Sequence, residues 1–288
     1  MKRRDLLTGI FAGGAFSAGN GMLWRMAQQA TPQNFGDEAL TVSEPVTAKE
    51  LAPDLDKVKF FENEFIDDLY LPQNEFTLLT SVLHRLDNAQ RVIGHGNFNL
   101  LGFDDLLRYA KRYESIGEFS ATELDFMEKI FFTEAQSYGF YGEKVTDQMT
   151  AVVPERDTFR VPYTGHYVFR GESLAYYDKL VNDVGSQIVL TSGIRSVVKQ
   201  MHLFLAKCAK SNGNLSKASR SLAPPGHSFH GIGDFDVGRR GWGADNFTSK
   251  FAQTIEFQKM QELGYVQIRY TEDNQLGVRF EPWHIKVV

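Results

Sequence analysis

The sequence predicts an α+β protein in which a small antiparallel sheet with flanking helices follows a mainly helical N-terminal region. Two observations carry this. Apolar residues recur at helical spacing from about residue 54 to 140, and from about 155 short β-rich runs alternate with helical ones. In the first stretch, Phe76, Leu79, Val82, Leu83 and Leu86 fall on one helical face, and Phe103–Ala110 continues the style. Ser120-Ala-Thr-Glu123 has the form of a capping box, with Leu124, Met127, Ile130 and Phe131 on one face behind it. In the second stretch, Gln187–Thr191 reads as a strand, Val197–Ala209 as a helix, and residues 211–227 as a polar loop rich in Ser, Gly and Pro. Asp234–Val237 reads as a short strand, and a helix over 248–263 ends at Gly264, a natural C-cap. Tyr265–Tyr270 and Leu276–Phe280 then suggest a hairpin around Glu272–Gln275.

The 288 residues suffice for one large domain or two small ones, and 42% hydrophobic with 23% charged residues is ordinary for a soluble globular chain. The net charge of −5 argues against a nucleic-acid partner, because phosphates demand a basic surface. A single cysteine, Cys208, excludes an internal disulfide and any multi-cysteine metal site, and reads as a small apolar filler on a helix. No internal repeat or low-complexity tract interrupts the chain.

Residues 1–30 read as an export signal. Lys2, Arg3 and Arg4 precede an uncharged, small-residue stretch from Gly9 to Gly19. Arg3-Arg4-x-Leu6-Leu7 resembles the twin-arginine motif, with Lys2 where Ser or Thr is usual. Ala30 before Thr31 is a candidate cleavage point; an uncleaved segment would remain as an N-terminal membrane anchor. The expected location is the periplasm. Residues 31–50 are polar and turn-prone and read as a linker, 51–154 as the helical N-terminal region and 155–288 as a mixed α and β domain.

Chemistry concentrates in three segments: Ser192-Gly-Ile-Arg-Ser196 with Gln200 beyond it, Pro225–Val237, and Phe280–Lys286. A catalytic zinc takes three protein ligands and keeps one position open. His230, Asp236 and His284 supply two imidazoles and a carboxylate. The metal acidifies its water, and a nearby carboxylate takes the proton during attack. Glu281 lies three residues before His284, and Pro282 between them can bend the chain so that both side chains face inward. Arg195 is a candidate for stabilising an oxyanion. His84, His95, His166 and His202 read as structural, His227 as loop surface, and Trp283 as a wall of the cleft or core. Arg269 and Tyr270 are candidates for lining a substrate groove.

These segments resemble the zinc peptidase family that includes the vancomycin-resistance D,D-dipeptidases and D,D-carboxypeptidases, with hedgehog-type domains as distant relatives. Ser192-Gly-Ile-Arg195-Ser196 resembles the family's Ser-Gly-x-Arg-Ser segment, Ser228-Phe-His230-Gly-Ile-Gly233 its Ser-x-His-x-x-Gly motif, and Glu281-Pro-Trp-His284 its Glu-x-x-His motif. The resemblance covers roughly 185–288. It implies zinc held by His230 and His284, Glu281 as general base, Arg195 at the scissile carbonyl or terminal carboxylate, and Ser228, with Gln200, in substrate binding. The family places its ligand Asp seven residues after the His, where this chain has Val237. Asp236 is favoured as the third ligand, Asp234 being the alternative on the same strand face. The implied activity is removal of the terminal D-Ala from peptidoglycan stem peptides. Cleavage of cross-links by an endopeptidase, or a non-catalytic zinc-stabilised wall-binding module, are the competing readings. The latter needs a missing base or ligand.

Overall fold

The structure, a computed structural model, describes residues 53–288, so the expected signal and linker lie outside the described residues. The described residues fall within one compact unit. Its first half is helical, as the periodicity predicts. Helix α1 (Leu55–Lys59) starts on Asp54, whose carboxylate accepts from the amides of Asp56 and Lys57. The long α2 (Gln73–Ile93) runs from Pro72 to Gly94. Pro72 cannot extend a helix backwards, and Gly94 sits at φ 90°, where a side chain is disfavoured. A short α3 (His95–Phe98) and α4 (Phe103–Arg112) follow. Helix α5 (Ala121–Phe132) opens with the capping box seen in the sequence: Ser120 Oγ accepts from the Glu123 amide, and Glu123 accepts from the Ser120 amide.

The second half carries two small antiparallel sheets. Strands β1 (Thr158–Arg160) and β2 (Tyr167–Phe169) form a two-stranded ribbon. Helix α6 (Glu172–Val184) leads to β3 (Ile188–Ser192), which pairs with the central β4 (Phe235–Arg239), and β4 pairs in turn with β5 (His284–Ile285). Between β3 and β4 lie α7 (Val197–Lys210) and a short α8 (Leu215–Ser219), nucleated by the Asn214 side chain inside the expected loop. Helix α9 (Ile255–Glu262) is shorter than the predicted 248–263. The Thr254 hydroxyl accepts from the Phe257 amide and starts the helix there, leaving Ser249–Gln253 as a 3-10 turn.

The hairpin expected over 265–280 does not form. Its backbone groups bond elsewhere: Leu276 O accepts from Tyr141 N, and Arg279 N donates to Arg220 O. Within the segment, the Asn274 amide donates to the carbonyls of Thr271 and Val278, holding a compact turn in place of a ladder.

Two cores result. One lies beneath the three-stranded sheet and includes Leu190, Phe235, Val237, Phe251, Trp283 and Ile285. The other joins the N-terminal helices to α7: Leu79, Leu86, Phe98 and Met127 pack with Met201 and Phe204. The change of style near residue 155 is therefore not a break in packing. Cys208 is buried in this second core, where burial pushes its thiol up.

Candidate metal centre and cleft

The three-stranded sheet sets one row of side chains side by side. Ser192 of β3 stands opposite Asp236 of β4, and Asp236 stands opposite His284 of β5. Directly opposed residues in an antiparallel pair project to the same face. A shift of register between Leu190 and Ser192 marks a bulge that brings Ser192 onto this row. On β4, Phe235 and Val237 enter the core while Asp236 faces the site. Val237, at the position where the family motif would have its Asp, thus points away from the site.

His230, Asp236 and His284 each offer one ligand atom, all within 4.8 Å of one another, and all three residues are buried. His230 comes from a 3-10 turn (Phe229–Gly231) that precedes β4. Its Nδ1 donates to the Gly193 carbonyl at 2.7 Å. A carbonyl can only accept, so Nδ1 carries the proton and Nε2 keeps its lone pair. Gly193 is required at that place, since a Cβ there would lie 1.9 Å from the Tyr167 carbonyl oxygen. His284 is fixed in the opposite sense: Nε2 donates to Asp234 Oδ2 at 3.1 Å, which leaves Nδ1 facing Asp236 and Glu281. Both imidazoles thus aim their remaining nitrogen at one point, each held from behind by an acceptor.

At that point the protein's own groups leave valences open. His230 Nε2 and Asp236 Oδ1 are buried without a hydrogen-bond partner among the described residues, 3.2 Å apart. Orphaned buried polar atoms are costly unless something else satisfies them. Two imidazoles and a carboxylate are the donor set of a catalytic zinc site, so the residues present fit zinc. Asp234 takes no part in the set. Its carboxylate is already engaged with Arg269, His284 Nε2 and the amides of Val287 and Val288.

The electrostatics follow from burial and neighbours. Burial and the Arg195 guanidinium push His230 down to about 4. Burial would also lower His284, but hydrogen bonds to Asp234 and Glu281, with Asp236 close by, raise it to about 9. Burial would raise Asp236; His230, Arg195 and His284 outweigh it and hold the carboxyl well below the usual range.

Glu281 and His284 close a turn in which Pro282 and Trp283 are central, with His284 N bonded to Glu281 O at 3.1 Å. The turn brings Glu281 Oε2 to 3.5 Å from His284 Nδ1, and Arg279 Nε lies 3.7 Å from the other oxygen. Arg195 sits between β3 and α7, its Nη2 on Asp236 Oδ2 at 2.5 Å and its Nε on Ser192 Oγ at 2.9 Å. It lines two hollows. One, of about 60 Å³, also holds Gln200, Ser228, Thr146 and Val152. The other, of about 380 Å³, contains Asp236 and Glu281 together with Lys199, Lys207 and Arg279.

The remaining residues singled out in the sequence fall as follows. Gln200 donates to the Ala223 carbonyl, and its Oε1 is buried without a partner beside Ser228 in the small hollow. His227 is not loop surface; it is buried, with Nδ1 3.1 Å from the carbonyls of Gly142 and Glu143. His202 pairs with Asp87. His166, read as structural, lines the larger cleft, and burial with Arg195 nearby lowers it to about 4. Arg269 holds Asp234 rather than lining a groove, and Tyr270 is buried with its ring 4.9 Å from that of His284. Sequence reasoning missed the supporting role of Asp234, although its alternation with Asp236 signalled a shared face. It also missed Lys199 and Arg279, which no motif marks.

A family model described as VanY, D-alanyl-D-alanine carboxypeptidase, matches residues 172–288. No curated protein sequence matches the chain. Among solved structures, the chain is similar to the LdcB LD-carboxypeptidase at 24% identity, over 45% of this chain and 63% of that one, with a TM-score of 0.38. It is similar to VanYB in complex with D-alanine-D-alanine at 20% identity, over 52% and 86%, with a TM-score of 0.38. A vancomycin-resistance D,D-pentapeptidase VanY in complex with Zn(II) matches at 21% identity, over 47% and 82%, with a TM-score of 0.35. The stretch matched by the VanY D-alanyl-D-alanine carboxypeptidase model, residues 172–288, holds every donor of the candidate metal centre.

Proposed function

We propose that this protein is an exported zinc D,D-carboxypeptidase that removes the terminal D-Ala of peptidoglycan stem peptides. The observation that carries the reading is the buried His230–Asp236–His284 set, with Glu281 and Arg195 at its edge, inside the stretch matched by a D-alanyl-D-alanine carboxypeptidase model. Zinc bound there would acidify a water and polarise the scissile carbonyl. Glu281 accepts the proton released at that face of the cleft and passes it to the leaving amine. Its carboxylate is kept in place by the Pro282 turn and by Arg279. Arg195 spans the border between the small hollow and the cleft, where its guanidinium meets the scissile carbonyl or the terminal carboxylate. Ser228 and Gln200 bind the terminal residue beside it.

The small hollow, lined by Ser228, Gln200 and Thr146 beside Arg195, is the proposed seat of the terminal residue. The basic, small-residue start of the chain supports export by the twin-arginine route to the periplasm. The test is incubation of the zinc-loaded protein with wall pentapeptide, followed by mass analysis. Loss of a single alanine is expected. Release of a dipeptide, or cleavage only within cross-linked dimers, would contradict the reading.

A further inference from the structure

The larger cleft is more basic than hydrolysis of a terminal bond requires. Arg195, Lys199, Lys207 and Arg279 line it against two carboxylates, Asp236 of the metal-donor set and Glu281 beside it. Arg195 is committed to Asp236, and Arg279 lies by Glu281. Lys207 pairs with the exposed Glu62, a surface contact of little worth. Lys199 differs from all of these. It is partly buried, yet its ammonium forms no ion pair among the described residues; it donates to Gln90 Oε1 at 2.8 Å and lies near the Phe98 ring. A buried cation without a paired counter-charge is costly unless something arrives to pair with it. The same cleft holds two further open valences, the buried hydroxyls of Ser221 and Thr191, which find no partner among the described residues.

The positions follow a helix. Lys199, Leu203 and Lys207 recur every four residues on α7 and form one stripe along the cleft wall, with Arg195 in the segment just before the helix. With the terminal residue in the small hollow and the scissile bond by Glu281, the part of the substrate on the amino side of that bond has the larger cleft to run along, past Lys199. Gln90 of α2 accepts from its ammonium, so the helical region helps to position this lysine.

We propose that Lys199, with Ser221 and Lys207, forms a subsite for a second carboxylate of the substrate, carried on the side chain of the residue that precedes the D-Ala-D-Ala unit. The subsite rests on the proposed D,D-carboxypeptidase reading and narrows its substrate to stem peptides whose diamino acid bears a free carboxylate.

The test uses two pentapeptides that differ by one carboxyl group, with diaminopimelate or lysine before D-Ala-D-Ala. On the zinc-loaded protein, kcat/KM for the diaminopimelate peptide should exceed that for the lysine peptide by about 10-fold or more, the worth of a charge-assisted hydrogen bond. In Lys199→Gln, which removes the charge and keeps an N–H donor, the ratio should collapse towards one; Lys199→Arg should restore it. A parent ratio near one, or a Gln variant that loses rate on both peptides alike, would overturn the subsite. The same ratio is read as Kd on the zinc-loaded Glu281→Gln protein by calorimetry. Absence of turnover by the parent with a clear Kd preference would sink the hydrolase reading and leave the subsite standing; equal Kd values would sink the subsite alone.

Discussion

At the scale of single residues, the site depends on which atom of each group is free. His230 and His284 are bound from behind by Gly193 O and Asp234, so their opposite nitrogens face one point shared with Asp236 Oδ1. The two aspartates therefore do different work. Asp236→Ala removes a donor and should abolish stoichiometric zinc binding. Asp234→Asn leaves the donors but weakens the hold on His284, and should reduce zinc affinity about 10–100-fold. Competition against a chelator measures both; a reversed order would mean that Asp234 is the ligand. These residues were legible in the sequence because a metal site needs specific side chains at specific spacings. The choice between the two aspartates was less legible. It depends on the pairing of β4 with β5, which puts Asp236 opposite His284, and on Arg269, which occupies Asp234 from 35 positions away.

At the scale of elements, local chemistry that caps or starts a helix was readable and long-range pairing was not. The Ser120–Glu123 box and Gly264 after α9 act within a few residues, and both stand where the sequence puts them. The 265–280 hairpin failed because its partners, Tyr141 and Arg220, come from distant segments that no local pattern names. Arg220 is also the centre of a buried clasp. Its two Nη atoms meet the Asp68 oxygens at 2.8 and 3.0 Å, and Asn214 and the Phe65 amide add to the same carboxylate. The clasp ties the segment after α1 to α8. Asp68→Ala strands a buried guanidinium and should cost about 3–5 kcal/mol in chemical denaturation. Burial would raise Asp68, but Arg220 and Asn214 outweigh it and lower the carboxyl. A depressed native value means that the clasp contributes fully above the unfolded value near 4 and is lost as pH falls through the native one. The parent should thus lose stability on acidification below about pH 4 faster than the Asp68→Ala variant does. Equal acid sensitivity of the two proteins would remove the clasp from that role.

At the scale of the whole molecule, the helical region and the metal-bearing region share a core. Met201 and Phe204 of α7 pack against Leu79, Leu86 and Phe98, so a chain starting at residue 155 would expose this face of α7. Such a fragment should lack a cooperative thermal transition in near-ultraviolet circular dichroism, while a chain starting at residue 53 should melt as one unit. A cooperative melt of the shorter fragment would show that the shared core is dispensable. No composition or periodicity revealed this union, since helical spacing identifies a buried face but not what covers it. The same union explains how the N-terminal helices reach the cleft, through Gln90 on Lys199 and Asn99 beside His166.

The most direct test of the account is the pair of measurements on Glu281→Gln: zinc content and hydrolysis of a D-Ala-D-Ala peptide. Glu281 stands 3.5 Å from His284 Nδ1 and outside the three-donor set. Glutamine keeps the shape and loses the basicity. The account predicts about one zinc per chain, as in the parent, with turnover reduced roughly 10²–10⁴-fold and substrate binding little changed. Parent-like turnover with zinc in place would contradict Glu281 as the proton acceptor, and joint loss of zinc and turnover would make it a ligand instead.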